Sequence, residues 1–528
     1  MARGMTADGL LSSHSEAWEN LWSEGRIELS GNLDVAQTIN AGLYFILSST
    51  PLVPDDVNPF KGLSPGGLSR GGITRPDKST AYNDYIGHVF WDMDTWIMPP
   101  IMMLHPQLAK IMIGSRTHVL DVVRRHAQTS GYKGVRYPWE QGVTGEEVCP
   151  WEPAAVYQIH VTADISYSLR QYLYATHDSS ILSSGKGFEL AMEIARFWQS
   201  RANKTSEDVY EIFGVMGPDE NHFNIDNSVF TNYNAKLSLL LPAYIRDNYR
   251  IKITAAEHAE IDSFTMVAPK LIILYDDKRK YHPQFEGFSL NATIKQSDVV
   301  LLGYPLLMPM SPEIRRNDLE IYTNLTDVFG PDTGTWSMYA LTRLELGEEA
   351  RADRDFHMML RNINGPFKIF SEKPETGPQG VRCVNFITGA GGLLQGVIFG
   401  YGGLRLDADH LTVSPHLLPQ TNHWAIRGLH YRDFTLDLEV FHTVFRIVVR
   451  DVAVAGGRIS IVDKDDREIR VGESISKTRA PVKISVSDSP KDKATSKGSG
   501  LYCKVWLASL MFVLHIAFRV NEVDPQAY

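Results

Sequence analysis

The chain has 528 residues, enough for a large core and for more than one domain. Its hydrophobic and charged fractions, 43% and 22%, are those of an ordinary globular protein, and a net charge of −10 with no run of basic residues excludes a nucleic-acid binder. Three cysteines far apart, Cys149, Cys383 and Cys503, exclude both a disulfide framework and a zinc site.

No apolar leader is visible at Met1-Ala2-Arg3-Gly4, so no secretory signal is read, and the compartment is read as the cytoplasm or left open. Trp18 and Trp22 stand four apart, which puts both on one helical face that must dock on something. Asn32 then caps a helix carrying Ile39, Leu43 and Ile46 and ended by Pro51. From Pro54 to Asp84 the composition is that of a long loop, rich in Gly, Pro and Ser.

Beyond that loop helical periodicity dominates the chain. It runs from about Asp92 to Leu104, from His105 through Val123, from Ala163 to Tyr174, around Leu190–Trp198 and around Leu237–Ile245, where Pro242 predicts a kink. Thr335–Leu346, closed by Gly347, then Ala350–Ile363 and Gly392–Phe399 continue the pattern. Alternating runs are scarce here, so the expected fold is mainly α, a toroid of helices with a site built from loops at one end. After about Leu404 the period changes to two, in Phe434–Val440, Phe445–Val449 and Arg458–Val462, which predicts a small antiparallel β domain. Ser487–Gly500 reads as a polar linker. Val505–Phe518 is apolar but falls short of the roughly 20 residues of a transmembrane helix. It reads as a docked segment, with a membrane anchor as the alternative.

Five stretches carry possible chemistry. In Gly217-Pro218-Asp219-Glu220-Asn221-His222 the Gly-Pro pair breaks the chain, and two adjacent carboxylates come next. Mutual repulsion raises the pKa of the less solvated one, which is what a glycosidic acid needs; a helix cap is the bland alternative. His88–Trp96 interleaves Trp91 and Trp96 with Asp92 and Asp94, rings to stack on a sugar and carboxylates to accept from its hydroxyls. For Asp94 an acidic helix start is an equal reading. Tyr137-Pro138-Trp139-Glu140, with Glu146, Glu147 and His160, repeats the theme, although Glu146 and Glu147 read better as surface charges. Lys295-Gln296-Ser297-Asp298 offers two donors before an apolar run, or a solvated helix start. Glu372 precedes Asn385–Gly392, whose glycines lack the spacing of a dinucleotide loop.

Taken together, Phe90-Trp91-Asp92, Tyr137-Pro138-Trp139-Glu140, Gly217-Pro218-Asp219-Glu220 with Thr231-Asn232, Lys295-Gln296-Ser297-Asp298 and Asn385-Phe386 resemble glycoside hydrolase family 65, over roughly residues 15–480. Glu146–Pro150, Val299–Pro305, Thr335–Met338 and Pro366–Lys368 are most similar to its glucosidase branch. The resemblance implies an (α/α)6 toroid followed by an antiparallel β-sandwich. It divides the chain into residues 1–30, a remnant linker after an N-terminal β-sandwich, 31–403, the catalytic toroid, 404–486, the β domain, and 487–528, linker and tail. It implies an inverting α-glucosidase without cofactor or metal, acting on the α-glucosyl-galactosyl-hydroxylysine units of collagen-type glycopeptides. Glu220 matches the general acid and Glu372 the general base, with Glu375 as the base if the alignment slips. Trp91, Asp92, Trp139, Glu140, Lys295 and Gln296 match substrate-binding positions. A trehalase, a disaccharide phosphorylase and an inactive sugar-binding remnant stay open. Asn221 stands where close relatives usually carry Tyr, so the leaving side differs.

Overall fold

A computed structural model describes residues 6–51, 62–68, 85–206, 208–329, 334–374, 382–453, 458–462 and 467–487. Most of the Pro54–Asp84 loop, Glu375 and the tail with Val505–Phe518 lie outside the described residues.

Six helical segments form a closed inner ring: Trp91–Leu104, Val161–Thr176, Val229–Asn248, Val300–Gly303, Thr335–Glu345 and Ile387–Tyr401, each packed on the next and the last on the first. They are buried nearly all round, as a helix enclosed by others must be. Outside them pack Leu33–Ser49, Pro106–His118, Leu120–Thr129, Gly187–Arg201, Ala255–Val267, Pro312–Leu325 and Glu349–Met359. The toroid is therefore present. The stretch read as one helix through Val123 is two, broken where Val119 leaves helical geometry (φ −100°, ψ 12°).

Glycines set the closeness of the ring. A Cβ on Gly392 would lie 2.4 Å from the Gly334 Cα, and one on Gly391 would lie 2.5 Å from the Trp96 carbonyl oxygen. The Gly389–Gly392 run thus serves helix packing. Within the first inner helix the Met98 N–H reaches back five residues to the Met93 carbonyl, a π turn. From the last inner helix, Gln395 Nε2 donates to the Thr95 and Trp96 carbonyls at 2.8 Å each and so ties the ring shut.

Beyond Leu404 come two five-stranded antiparallel sheets. Phe434–Val440 and Arg458–Val462 are strands as read, and Phe445–Val449 lies within Val444–Val452. Residues 1–30 depart from the expected linker. Arg26–Ser30 is the edge strand of the first sheet and pairs with His423–Tyr431. Before it, Ala7–Glu24 is a helix, and its Trp18 ring docks 4.9 Å from Tyr44 on the first outer helix. Among the described residues no helix is long and apolar enough to cross a membrane.

Candidate active site

The motif residues lie where the chain enters inner helices. Trp91 and Asp92 begin the first, His160 caps the second, and residues 217–222 precede Ser228, the cap of the third. Lys295–Asp298 lead into the fourth and Phe386 caps the sixth. These helix starts converge. Trp91 packs its ring 5.1 Å from His160 and 6.4 Å from Phe230, and Trp139 reaches His160 at 5.9 Å. Trp91 is 2% exposed, so it is a wall of the site rather than an open stacking platform.

Against that wall sits a carboxylate cluster. Asp92 accepts from the Thr388 hydroxyl at 2.8 Å, a bond joining the first and last inner helices. Burial, with the charges of Glu220 and Glu372 adding to it, pushes the Asp92 carboxyl up to about 7 against the lowering effect of the Thr388 bond. Both candidate catalytic carboxylates therefore act on Asp92, from loops far apart in sequence. Glu372 is buried; its backbone N–H donates to the Cys383 carbonyl at 2.9 Å and its Oε2 accepts from the Cys383 N–H at 3.1 Å. Tyr85, which no spacing rule pointed to, hydrogen-bonds Glu372. Burial, followed by the charges of Glu372 and Asp92, holds its hydroxyl well above the usual phenol range. Tyr85 and Ile86 both have positive φ, 59° and 53°, a backbone that β-branched Ile86 resists. The surrounding structure imposes that strain where Tyr85 meets Glu372.

Glu220 is partly exposed and bonds Lys295 Nζ at 2.8 Å. Its neighbour Asp219 is buried and acts as a hub. Asp219 Oδ1 accepts from the Lys295 and Asn221 backbone N–H groups at 2.8 and 3.3 Å, and Oδ2 accepts from Gln284 Nε2 and His222 Nδ1 at 2.9 and 2.8 Å. The Asp219 N–H donates to Asp298 Oδ1 at 2.8 Å. Burial and then the Asp219 charge hold the Asp298 carboxyl well above the carboxylate range. A Cβ on Gly217 would come within 2.2 Å of Asp298 Oδ2, which explains glycine there. Gln296 donates to the Pro218 carbonyl and so braces this loop. Gln284 carries no sequence signal because only the fold brings it to Asp219.

The remaining acids separate by environment. Glu140 is held by His88 Nδ1 at 2.7 Å. Glu146 is a surface charge paired with Arg125 and His126. Glu147, read as another, is largely enclosed; it accepts from the Trp139, Glu140 and Cys149 backbone N–H groups at 2.6, 3.1 and 3.0 Å and shapes that loop. Asp94 is buried against Arg116 at 2.5 Å, a structural pair. Among the described residues no group of His, Cys, Asp and Glu could hold a metal ion.

Fold and site together define an (α/α)6 toroid with an acidic, aromatic-walled site. Residues 76–294 match the glycosyl hydrolase family 65 central catalytic domain. The protein-glucosylgalactosylhydroxylysine glucosidase of Gallus gallus is 39% identical over 84% of this chain and 61% of its own length, and that of Danio rerio is 38% identical over 84% and 65%. A putative kojibiose phosphorylase from the human microbiome superposes with a TM-score of 0.74 at 18% identity, over 90% of this chain and 66% of that one. The chain belongs to glycoside hydrolase family 65. It spans about three fifths of the length of the curated relatives it matches.

Proposed function

We propose that the chain is an inverting α-glucosidase that releases glucose from α-glucosyl-galactosyl-hydroxylysine units, with the toroid over residues 31–403 as its catalytic part and the strands from 404 as its β domain. The observation that carries this reading is the pair Glu220 and Glu372, which both act on Asp92 across an indole-walled site. Glu220 protonates the leaving glycosidic oxygen while Glu372, with Tyr85 on it, takes a proton from the attacking water. Asp92 and Trp91 hold the glucosyl unit, and Trp139 and Glu140 meet the leaving sugar. Lys295 directs the Glu220 carboxyl, and Gln296 fixes the loop that carries it. A carboxylate at position 372 supplies the base that hydrolysis requires, and the names of the Gallus gallus and Danio rerio relatives agree with a glucosidase.

The test is a substrate panel: glucosyl-galactosyl-hydroxylysine and trehalose, each with and without inorganic phosphate. Free glucose from the first alone supports the assignment. Glucose 1-phosphate, turnover of trehalose alone, or no turnover by folded protein overturns it. NMR of the nascent sugar should show β-glucose first; initial α-glucose rules out a single displacement by water.

A further inference from the structure

Next to the Glu220 loop lies a group of aromatic side chains that take no part in the proposed reaction. Trp151 and Phe223 are 40% and 48% exposed, large apolar groups left in water. Their ring centroids are 6.3 Å apart at 82°, and Tyr157 stacks on Phe223 at 6.3 Å and 25°. Val148 and Val156, close to Trp151 in the chain, are exposed as well, and polar Glu152 and Asn224 stand next to Trp151 and Phe223. An exposed apolar patch with a polar rim marks a surface that meets a ligand or partner.

The patch is tied to the candidate site through the backbone. Phe223 follows Glu220 by three residues within one loop, closed at its base by the Val215 and Ile225 backbone bonds at 2.8 and 2.9 Å. Trp151 caps the short helix Glu152–Tyr157 and Tyr157 ends it, its carbonyl accepting from the Met216 N–H at 2.9 Å. Directly after that helix, Gln158 Nε2 donates to the Gly217 carbonyl at 3.4 Å. On the other side the Cys149 thiol bonds the Trp151 carbonyl at 3.6 Å, and Cys149 N–H bonds Glu147, which also holds Glu140. Burial pushes that thiol up to about 11, and the charges of Glu140, Glu147 and Glu220 add to the rise. The platform thus continues outward from Glu140 and Glu220.

Resting on the glucosidase reading, we infer that Trp151, Phe223 and Tyr157 form an outer platform for the hydroxylysine-bearing peptide of the substrate. An acid that protonates the leaving oxygen stands on the leaving side, so the part of the substrate beyond the first leaving sugar continues past Glu220. Open ring faces suit an extended chain with an aliphatic stem, whereas the terminal glucose is enclosed at Asp92 and Trp91.

The test is calorimetric titration in the Glu220→Gln background, which keeps ligands intact. Glucosyl-galactosyl-hydroxylysine peptide and free glucosyl-galactose are compared. The peptide should bind about tenfold tighter than the disaccharide, and Trp151→Ala with Phe223→Ala should remove most of that difference. Circular dichroism checks the fold, with each single substitution as a milder variant. Equal affinity for both ligands overturns the inference, as does a preference that survives the double substitution. A change only in oligomeric state by size-exclusion also overturns it and marks the patch as an interface between copies. Failure of the enzymatic reading shows separately, as no glucose release from either ligand by the unsubstituted protein.

Discussion

Asp92 and Asp219 are both deep, 6% and 1% exposed, yet the fold treats them in opposite ways. Asp219 receives four N–H donors and so joins residues 217–222 to residues 295–298. Asp92 receives the Thr388 hydroxyl and faces two further carboxylates. A buried carboxylate with all its acceptors used is scaffold, because its desolvation is offset inside the protein. One left short of donors is poised for a polyol that brings its own hydroxyls.

The widest separation of the two roles is expected from the residues they serve. Glu220→Gln and Glu372→Gln should each lower kcat about 10²–10⁴-fold in a glucose-release assay while leaving the melting temperature nearly unchanged. Near-normal turnover in either variant removes that residue from the mechanism. Asp219→Asn turns one acceptor into a donor among donors. A loss of about 3 kcal/mol in denaturant unfolding is expected, together with reduced kcat, and an unaltered midpoint would show that the hub is not structural.

Asp92→Asn should do the reverse to stability. Between about pH 4 and 7 the folded chain keeps a proton on Asp92 that the unfolded chain has lost, so this group makes stability fall as pH rises through that window. Above pH 7 the buried charge costs about 4 kcal/mol, at about 1.4 kcal/mol for each pH unit between the unfolded and folded titrations. The Asp92→Asn variant should therefore melt above the parent at pH 8, with a gap that narrows towards pH 4, while its substrate affinity collapses. A gap that is constant with pH would remove Asp92 as its source.

The smallest contrast is between neighbours. Glu147→Gln should destabilise by about 1–3 kcal/mol through its three backbone donors, whereas Glu146→Gln should leave the melting curve unchanged. Equal effects would mean that burial does not distinguish them.

Much of this architecture is legible in the chain. Inner helices carry apolar residues at helical spacing and strands alternate, so period reveals both, and the chemical motifs sit at or just ahead of inner-helix starts. The outer helices Ala255–Val267 and Pro312–Leu325 bury few apolar residues, so little in their composition marks them. Their caps still announce them: Thr254 with Glu257 forms a capping box, and Ser311 precedes Pro312. Arg26–Ser30 is illegible as a strand because its partner lies at His423–Tyr431. Asp219 reads in sequence only as one of two adjacent acids, since three of its donors can be recognised only once Lys295 and Gln284 are folded against it and His222 has turned back. Tyr85 has a special backbone and no special sequence.

The bond from Thr388 to Asp92 closes a ring whose first and last members are 296 residues apart. Leu33–Ser49 likewise has to wait for Ile387–Gln395, and Arg26–Ser30 for His423–Tyr431. On a ribosome, residues 91–160 would be made long before the helix that completes their surroundings. Until then Trp91, Trp96 and the glycine-lined seam lack their cover, a stretch of exposed apolar surface during which such chains depend on holding factors. Closure at such sequence separation also sets a slow, late step that forms site and fold together. A chain stopped before Thr388 therefore has the candidate acid and the candidate base and still lacks the pocket that relates them.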